Sequence, residues 1–207
     1  MELTRNTIIE LDQIRMRCDP ASGKLHFTYD SFSNLPTWPK GPLLEIIDGD
    51  LFVVPPPTPV HQQIVANLLA AIKPYTDGKG IGIVIPAPVD VILSDDNVVI
   101  PDLLFISTAR EDIVKDNNIQ GAPDFIVEIT SSKPARDEIT KKQLYEGFGI
   151  LEYWIINPEA KRVKVFSRRP GEKQFSSIVE FITGDTILVN CIPGLHISVD
   201  AIFKIIK

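Results

Sequence analysis

The sequence predicts a mixed α/β (α+β) domain, with a central mixed β-sheet flanked by helices. Three observations predict it. Short apolar, β-prone runs recur at residues 43–54, 82–106, 124–130, 152–156 and 162–166. Two other stretches, 60–75 and 135–148, carry apolar residues at helical spacing instead. The order is hairpin, helix, several strands, helix, strands, which suits a sheet covered by helices.

Composition bounds the reading. The chain has 207 residues, enough for one sizeable core and short for two domains. Hydrophobic residues make up 44% and charged residues 23%, an ordinary balance for a soluble globular protein. No apolar run approaches the roughly 20 residues a membrane helix needs. The N-terminus mixes acids with apolar residues and lacks a basic region followed by an apolar one, so no signal peptide is expected. Cys18 and Cys191 are far apart and belong to no Cys/His cluster, which argues against zinc and against a disulfide framework. A reducing cytoplasm is the expected compartment. The net charge of −6 argues against a protein that coats nucleic acid electrostatically. It leaves room for a nuclease, whose acidic site adds negative charge itself.

Residues 1–42 read as an N-terminal arm, with a short strand or helical turn at 8–11 and a loop-like stretch at 31–42. Residues 43–207 read as the globular domain. Within 43–54, LLEIID and DLFVV flank Asp48-Gly49-Asp50, and an Asp-Gly turn between β-prone runs signals a hairpin. Prolines at 55–59 end the sheet. Thr58-Pro59 looks like an N-cap and first helical position. The helix over 60–75 is expected to end near Pro74 and Gly78. Short strands follow at 82–85 and 89–93, then one long apolar run over 98–106. A short helix is expected at 109–115, a strand at 124–130, an amphipathic helix at 135–148, and strands at 152–156, 162–166, 175–181 and 187–189.

Two acids stand out because their neighbours are apolar. Asp102 interrupts VVIPDLLFI, and Glu128 sits inside DFIVEIT. Burying an ionised carboxylate without a partner costs several kcal/mol. A shared divalent cation resolves that cost and the mutual repulsion together. Magnesium takes oxygen ligands, so two carboxylates and a backbone carbonyl, naturally that of Ile129, suffice. The plainer alternative also stands: Pro101 breaks the sheet and leaves Asp102 capping a turn, while Glu128 points to solvent. Asp137, Lys141 and Tyr145 recur at intervals of four and share a helix face, either turned to the strand ends or carrying an exposed ion pair. Lys142 lies about 100° round that helix and is expected in solvent.

The segments LEIIDGDLFVVPPPTPVHQQIVANLL, VIPDLLFIS, DFIVEITSS and RDEITKKQLYEGFGILEYWIINPEAKRVKVF resemble the Uma family of "putative restriction endonucleases". That family is a branch of the PD-(D/E)xK nuclease superfamily. The resemblance spans residues 43–166 and keeps the order of the motifs. It implies a restriction-endonuclease-like core and metal-dependent hydrolysis of DNA phosphodiester bonds, using Mg²⁺ with Mn²⁺ able to substitute. By motif, Asp102 matches the Pro-Asp acid and Glu128 the second acid. The usual lysine position holds Thr130, and the resemblance moves that role to Lys141 on the next helix, flanked by Asp137 and Tyr145. His61 matches a family histidine, for a water, a phosphate or a local bond. Glu45 is also typical, in a supporting role. Lys133, Arg136 and Lys142 would contact the DNA backbone, and a homodimer would suit cleavage of two strands. The alternative is a catalytically inactive member of the fold that binds nucleic acid or protein.

Overall fold

A computed structural model describes residues 17–18, 25–33, 43–130 and 136–205. The expectation for residues 8–11, and that for 31–42 from residue 34 onward, lie outside the described residues, as does the side chain of Cys18; residues 31–33, expected in a loop, are helical. Of the N-terminal stretch, β1 (Arg17–Cys18) pairs with β2 (Leu25–His26), and α1 covers Tyr29–Ser33.

The hairpin forms as expected, with β3 (Leu44–Ile47) antiparallel to β4 (Asp50–Val53). Asp48 and Gly49 both take positive φ, 51° and 78°, as a type I′ turn requires. A side chain at Gly49 would collide with the ring of His26. The first long helix, α2 (Pro59–Lys79), starts where expected, with Thr58 accepting from the His61 amide. It runs past Pro74 and ends at Gly80, whose φ of 61° closes the last turn. Tertiary anchoring explains the extra turn. Thr76 is fully buried, and the Tyr75 hydroxyl donates to the Pro193 carbonyl at 2.8 Å.

Two sheets follow. A six-stranded mixed sheet has the order β13-β12-β11-β10-β8-β5. Its strands are β5 (Gly82–Pro86), β8 (Leu103–Ser107), β10 (Phe125–Ile129), β11 (Glu152–Asn157), β12 (Arg162–Ser167) and β13 (Ser177–Ile182). Only the central β10–β11 pair is parallel. The five-stranded sheet joins β4 and β3 to β7 (Asn97–Val99), β6 (Val91–Ser94) and β9 (Ile119–Gln120). The apolar run 98–106 is therefore not one strand. It breaks at Ile100-Pro101-Asp102, and its two halves enter different sheets. Proline cannot donate to a ladder, and the Ile100 amide is already taken by the Glu45 carboxylate.

The six-stranded sheet is buried on both faces. Ile64, Leu68 and Ile72 of α2 cover Leu103, Phe105, Val127 and Trp154. Leu104, Ile106, Ile126 and Tyr153 face α3 (Lys142–Phe148) and the five-stranded sheet. The stretch before α3 differs from the regular helix expected over 135–148. Residues Arg136–Lys141 form a π-helical turn. The segment 108–113 is a 3₁₀ helix. Beyond β13, β14 (Thr186–Leu188) pairs with β15 (His196–Ser198), followed by α4 (Val199–Ile202). The last two elements have no counterpart in the expectations, being too short to show a period. Ile197, Val199 and Ile202 hold them in the core beside α2. No helix among the described residues is long and apolar enough to cross a membrane.

One buried acid lies apart from the others. Glu152, at the start of β11, accepts from Trp154 Nε1 at 2.8 Å and from the Cys191 amide at 2.9 Å. Burial pushes its carboxyl pKa up, against the lowering effect of these bonds. A raised folded pKa means that the native state holds the proton more tightly. Its stabilising contribution is complete below the unfolded value of about 4.3 and is lost as pH rises through the folded value. For Glu152→Gln, the decline of stability with rising pH should be shallower than in the parent. Urea unfolding midpoints from about pH 4 to pH 7 check this; parallel curves would refute it.

Gly82 offers a packing test. A Cβ there would lie 2.3 Å from the Ile106 carbonyl and 2.5 Å from the Phe105 ring. Gly82→Ala should therefore cost about 1–3 kcal/mol in the same unfolding assay.

Candidate active site

The site gathers where β10 ends and the chain crosses between sheets. Glu45 comes from β3, a strand whose apolar neighbours Ile46 and Ile47 are buried with it. Its Oε1 accepts from the Ile100 amide at 3.1 Å and from Lys141 Nζ at 2.7 Å. The same ammonium donates to Glu128 Oε1 at 2.7 Å. That oxygen also accepts from the Tyr145 hydroxyl at 2.6 Å. Lys141 is 2% exposed, Glu45 1% and Glu128 5%, so this is a dry network. Burial pushes the Tyr145 phenol well up, helped by the negative charges of Glu128 and Glu45. It therefore remains a neutral donor.

A second string of bonds meets the first at the Glu128-Ile129 peptide. The Ile129 amide donates to Asp102 Oδ2 at 2.7 Å. His61 Nε2 lies 3.0 Å from the same oxygen. The side chains of His61 and Asp102 are 14% and 17% exposed, so this end is the more open one. His61 is held at the start of α2 by its amide bond to Thr58. With Nε2 donating to the carboxylate, Nδ1 is left buried and without a partner among the described residues. The β8–β10 register pairs Leu103 with Val127, so Asp102 comes next, opposite Glu128.

Several expectations change. Asp102 is not inside a strand but at the junction of β7 and β8, where Pro101 breaks the run as the plainer alternative had it. Glu128 does not point to solvent. Lys141 and Tyr145 do share a helix face, and both reach the same oxygen of Glu128. The ammonium is fixed by Glu45 and Glu128. The side chains of Asp137 and Arg136, and all of Lys133, lie outside the described residues. Lys142 turns away to pair with Glu146 at 3.3 Å. Glu45 enters the centre of the network, a place the sequence reading did not assign to it. Its signal was the same one that exposed the other two: an acid flanked by apolar residues in a strand.

Among the described residues, no three His, Cys, Asp or Glu side chains gather closely enough to hold a metal ion. A magnesium ion needs fewer protein ligands, commonly one or two carboxylates with waters. Oδ1 of Asp102 has no hydrogen-bond partner among the described residues, and the Glu128 carboxylate belongs to the neighbouring position. The pair offers hard oxygen, the donor type such an ion takes, with the Asp102 side the more open one.

The chain resembles known proteins in fold and family. A crystal structure described as "a putative nuclease belonging to DUF820", from Anabaena variabilis ATCC 29413, superimposes with a TM-score of 0.69 at 23% identity. The match covers 86% of this chain and 97% of that one. The type IIG restriction endonuclease BpuSI matches over 60% of this chain and 14% of its own, at 14% identity and a TM-score of 0.38. No curated protein matches the chain. The Uma2 family model, described as "Putative restriction endonuclease", matches residues 29–200. With that span matched, the chain belongs to the Uma2 family.

Proposed function

We propose that the protein is a metal-dependent DNA endonuclease that hydrolyses phosphodiester bonds at Asp102 and Glu128. The observation that carries this reading is the Ile129 amide bond to Asp102, which sets one acid beside the other. Asp102, Glu128 and the Ile129 carbonyl would hold Mg²⁺, or Mn²⁺ in its place. The ion would supply Lewis acidity to the phosphate and a lowered pKa to water.

The remaining side chains position these acids. His61 fixes Oδ2 of Asp102 and leaves Oδ1 for the reacting groups. Lys141 and Tyr145 both donate to Oε1 of Glu128 and orient it. Lys141 is too enclosed to meet the substrate where it stands, so we assign it a positioning role. Asp137, beside it in sequence, stays a candidate of the same kind. In the reaction, water adds to phosphorus, one P–O ester bond breaks, and the leaving oxygen takes up a proton. A homodimer formed along the open edge of β13, where Ile178, Val179 and Ile182 are exposed, would present two sites to two strands.

A second reading has one observation in its favour. The Lys141 ammonium already pairs with Glu128, as it would in a binding protein of this fold without catalysis.

Plasmid DNA with Mg²⁺ or Mn²⁺ tests the first reading. Cleavage by the parent, lost in Asp102→Ala and in Glu128→Gln while both variants stay folded, is the expected outcome. Undiminished cutting by Asp102→Ala would refute the assignment. Parent protein that neither cuts nor binds Mn²⁺ would favour the second reading.

Removing the ammonium leaves two acids buried without their cation. Lys141→Met should thus cost about 3–5 kcal/mol by urea unfolding. The triple variant Lys141→Met, Glu45→Gln, Glu128→Gln should recover part of that loss. Equal destabilisation in both would show that the ion pairs do not carry the effect.

A further inference from the structure

A groove of about 380 Å³ opens on the six-stranded sheet, one strand over from Glu128. Thr130, Ile155, Asn157, Arg162, Lys164 and Glu180 line it. Strand register ties it to the site. Glu128 lies opposite Ile155, Ile155 opposite Lys164, and Lys164 opposite Glu180. Residues aligned in this way project from one face of a sheet. A single row thus runs from the acid of the site to a lysine two strands away, about 10 Å at the usual strand spacing. The adjoining row sets Asn157 opposite Arg162.

The chemistry of this surface suits an anionic backbone. Arg162 offers a planar fork of donors and Lys164 a point charge. Asn157 Oδ1 is used by the Ala160 amide at 2.9 Å, which leaves its amide N–H groups as donors. Glu180 holds Arg162 at 2.5 Å, but the two side chains are 44% and 56% exposed. An ion pair so exposed is weak, and a phosphate oxygen can replace the carboxylate. The chain as a whole is acidic, at −6, so attraction for a polyanion has to come from a local cationic surface of this kind.

Resting on the nuclease reading of the neighbouring acids, we propose that this groove seats the phosphate backbone of duplex DNA. Arg162 and Lys164 are its phosphate contacts, and Glu180 is a competing anion that weakens binding. The spacing from Glu128 corresponds to about three nucleotide rises of roughly 3.4 Å along one strand.

Anisotropy titration of a short fluorescein-labelled DNA duplex, in EDTA and at two salt concentrations, reads binding apart from cleavage. Arg162→Ala and Lys164→Ala should each weaken binding roughly five- to tenfold and lower the salt slope by about one. Glu180→Gln should tighten binding, an effect that a merely structural role would not produce. Circular dichroism of each variant confirms that the fold is kept. Affinities unchanged in all three variants, no duplex binding by the parent, or tighter binding of a single-stranded RNA of the same sequence would overturn the proposal. If the groove variants behave as expected but plasmid cleavage is absent, the nuclease reading fails and the groove stands.

Discussion

The structure turns on one ammonium held between two carboxylates in a dry interior. Lys141 comes from the π turn before α3, Glu45 from the five-stranded sheet and Glu128 from the six-stranded sheet. Removing three charges from water costs several kcal/mol each, and only close mutual contact offsets it. The geometry supplies that contact at 2.7 Å on both sides. The Ile100 amide and the Tyr145 hydroxyl serve the same two oxygens. The interaction thereby fixes how the two sheets and α3 meet. It also explains why the helical stretch opens with a wide π turn: Lys141 has to reach both acids at once.

Asp102 stands beside that network, opposite Glu128. The two acids of the site nonetheless sit in different surroundings. Glu128 is enclosed and held by a cation and a phenol, whereas Asp102 is partly open and held by an amide and an imidazole. The division separates an enclosed half of the cluster from a partly open half.

Much of this was legible in the residues. Asp48-Gly49 marked the hairpin, Thr58-Pro59 the start of α2, and the apolar neighbours of Glu128 its buried place. The helical interval from Lys141 to Tyr145 correctly put both on one side. What escaped the pattern was tertiary in origin. Pro74 reads as a stop, but the burial of Thr76 carries the helix onward. Residues 98–106 read as one strand because periodicity has no term for a chain that changes sheets. Glu45 entered the reading only through the family resemblance, in a supporting role, and its partner lies 96 positions away, beyond any local pattern. β15 and α4 owe their existence to packing on α2 and not to any propensity of their own.

The grip on Asp102 is made by the main chain of Ile129, not by its side chain. Every amino acid but proline carries that N–H, so the position can drift among apolar residues without loosening the acid. The geometry is written into the path of the backbone. A proline at 129 would be singular among replacements, because it alone would take away the amide's hold and leave the carboxylate to the His61 imidazole, with every acidic residue still in place.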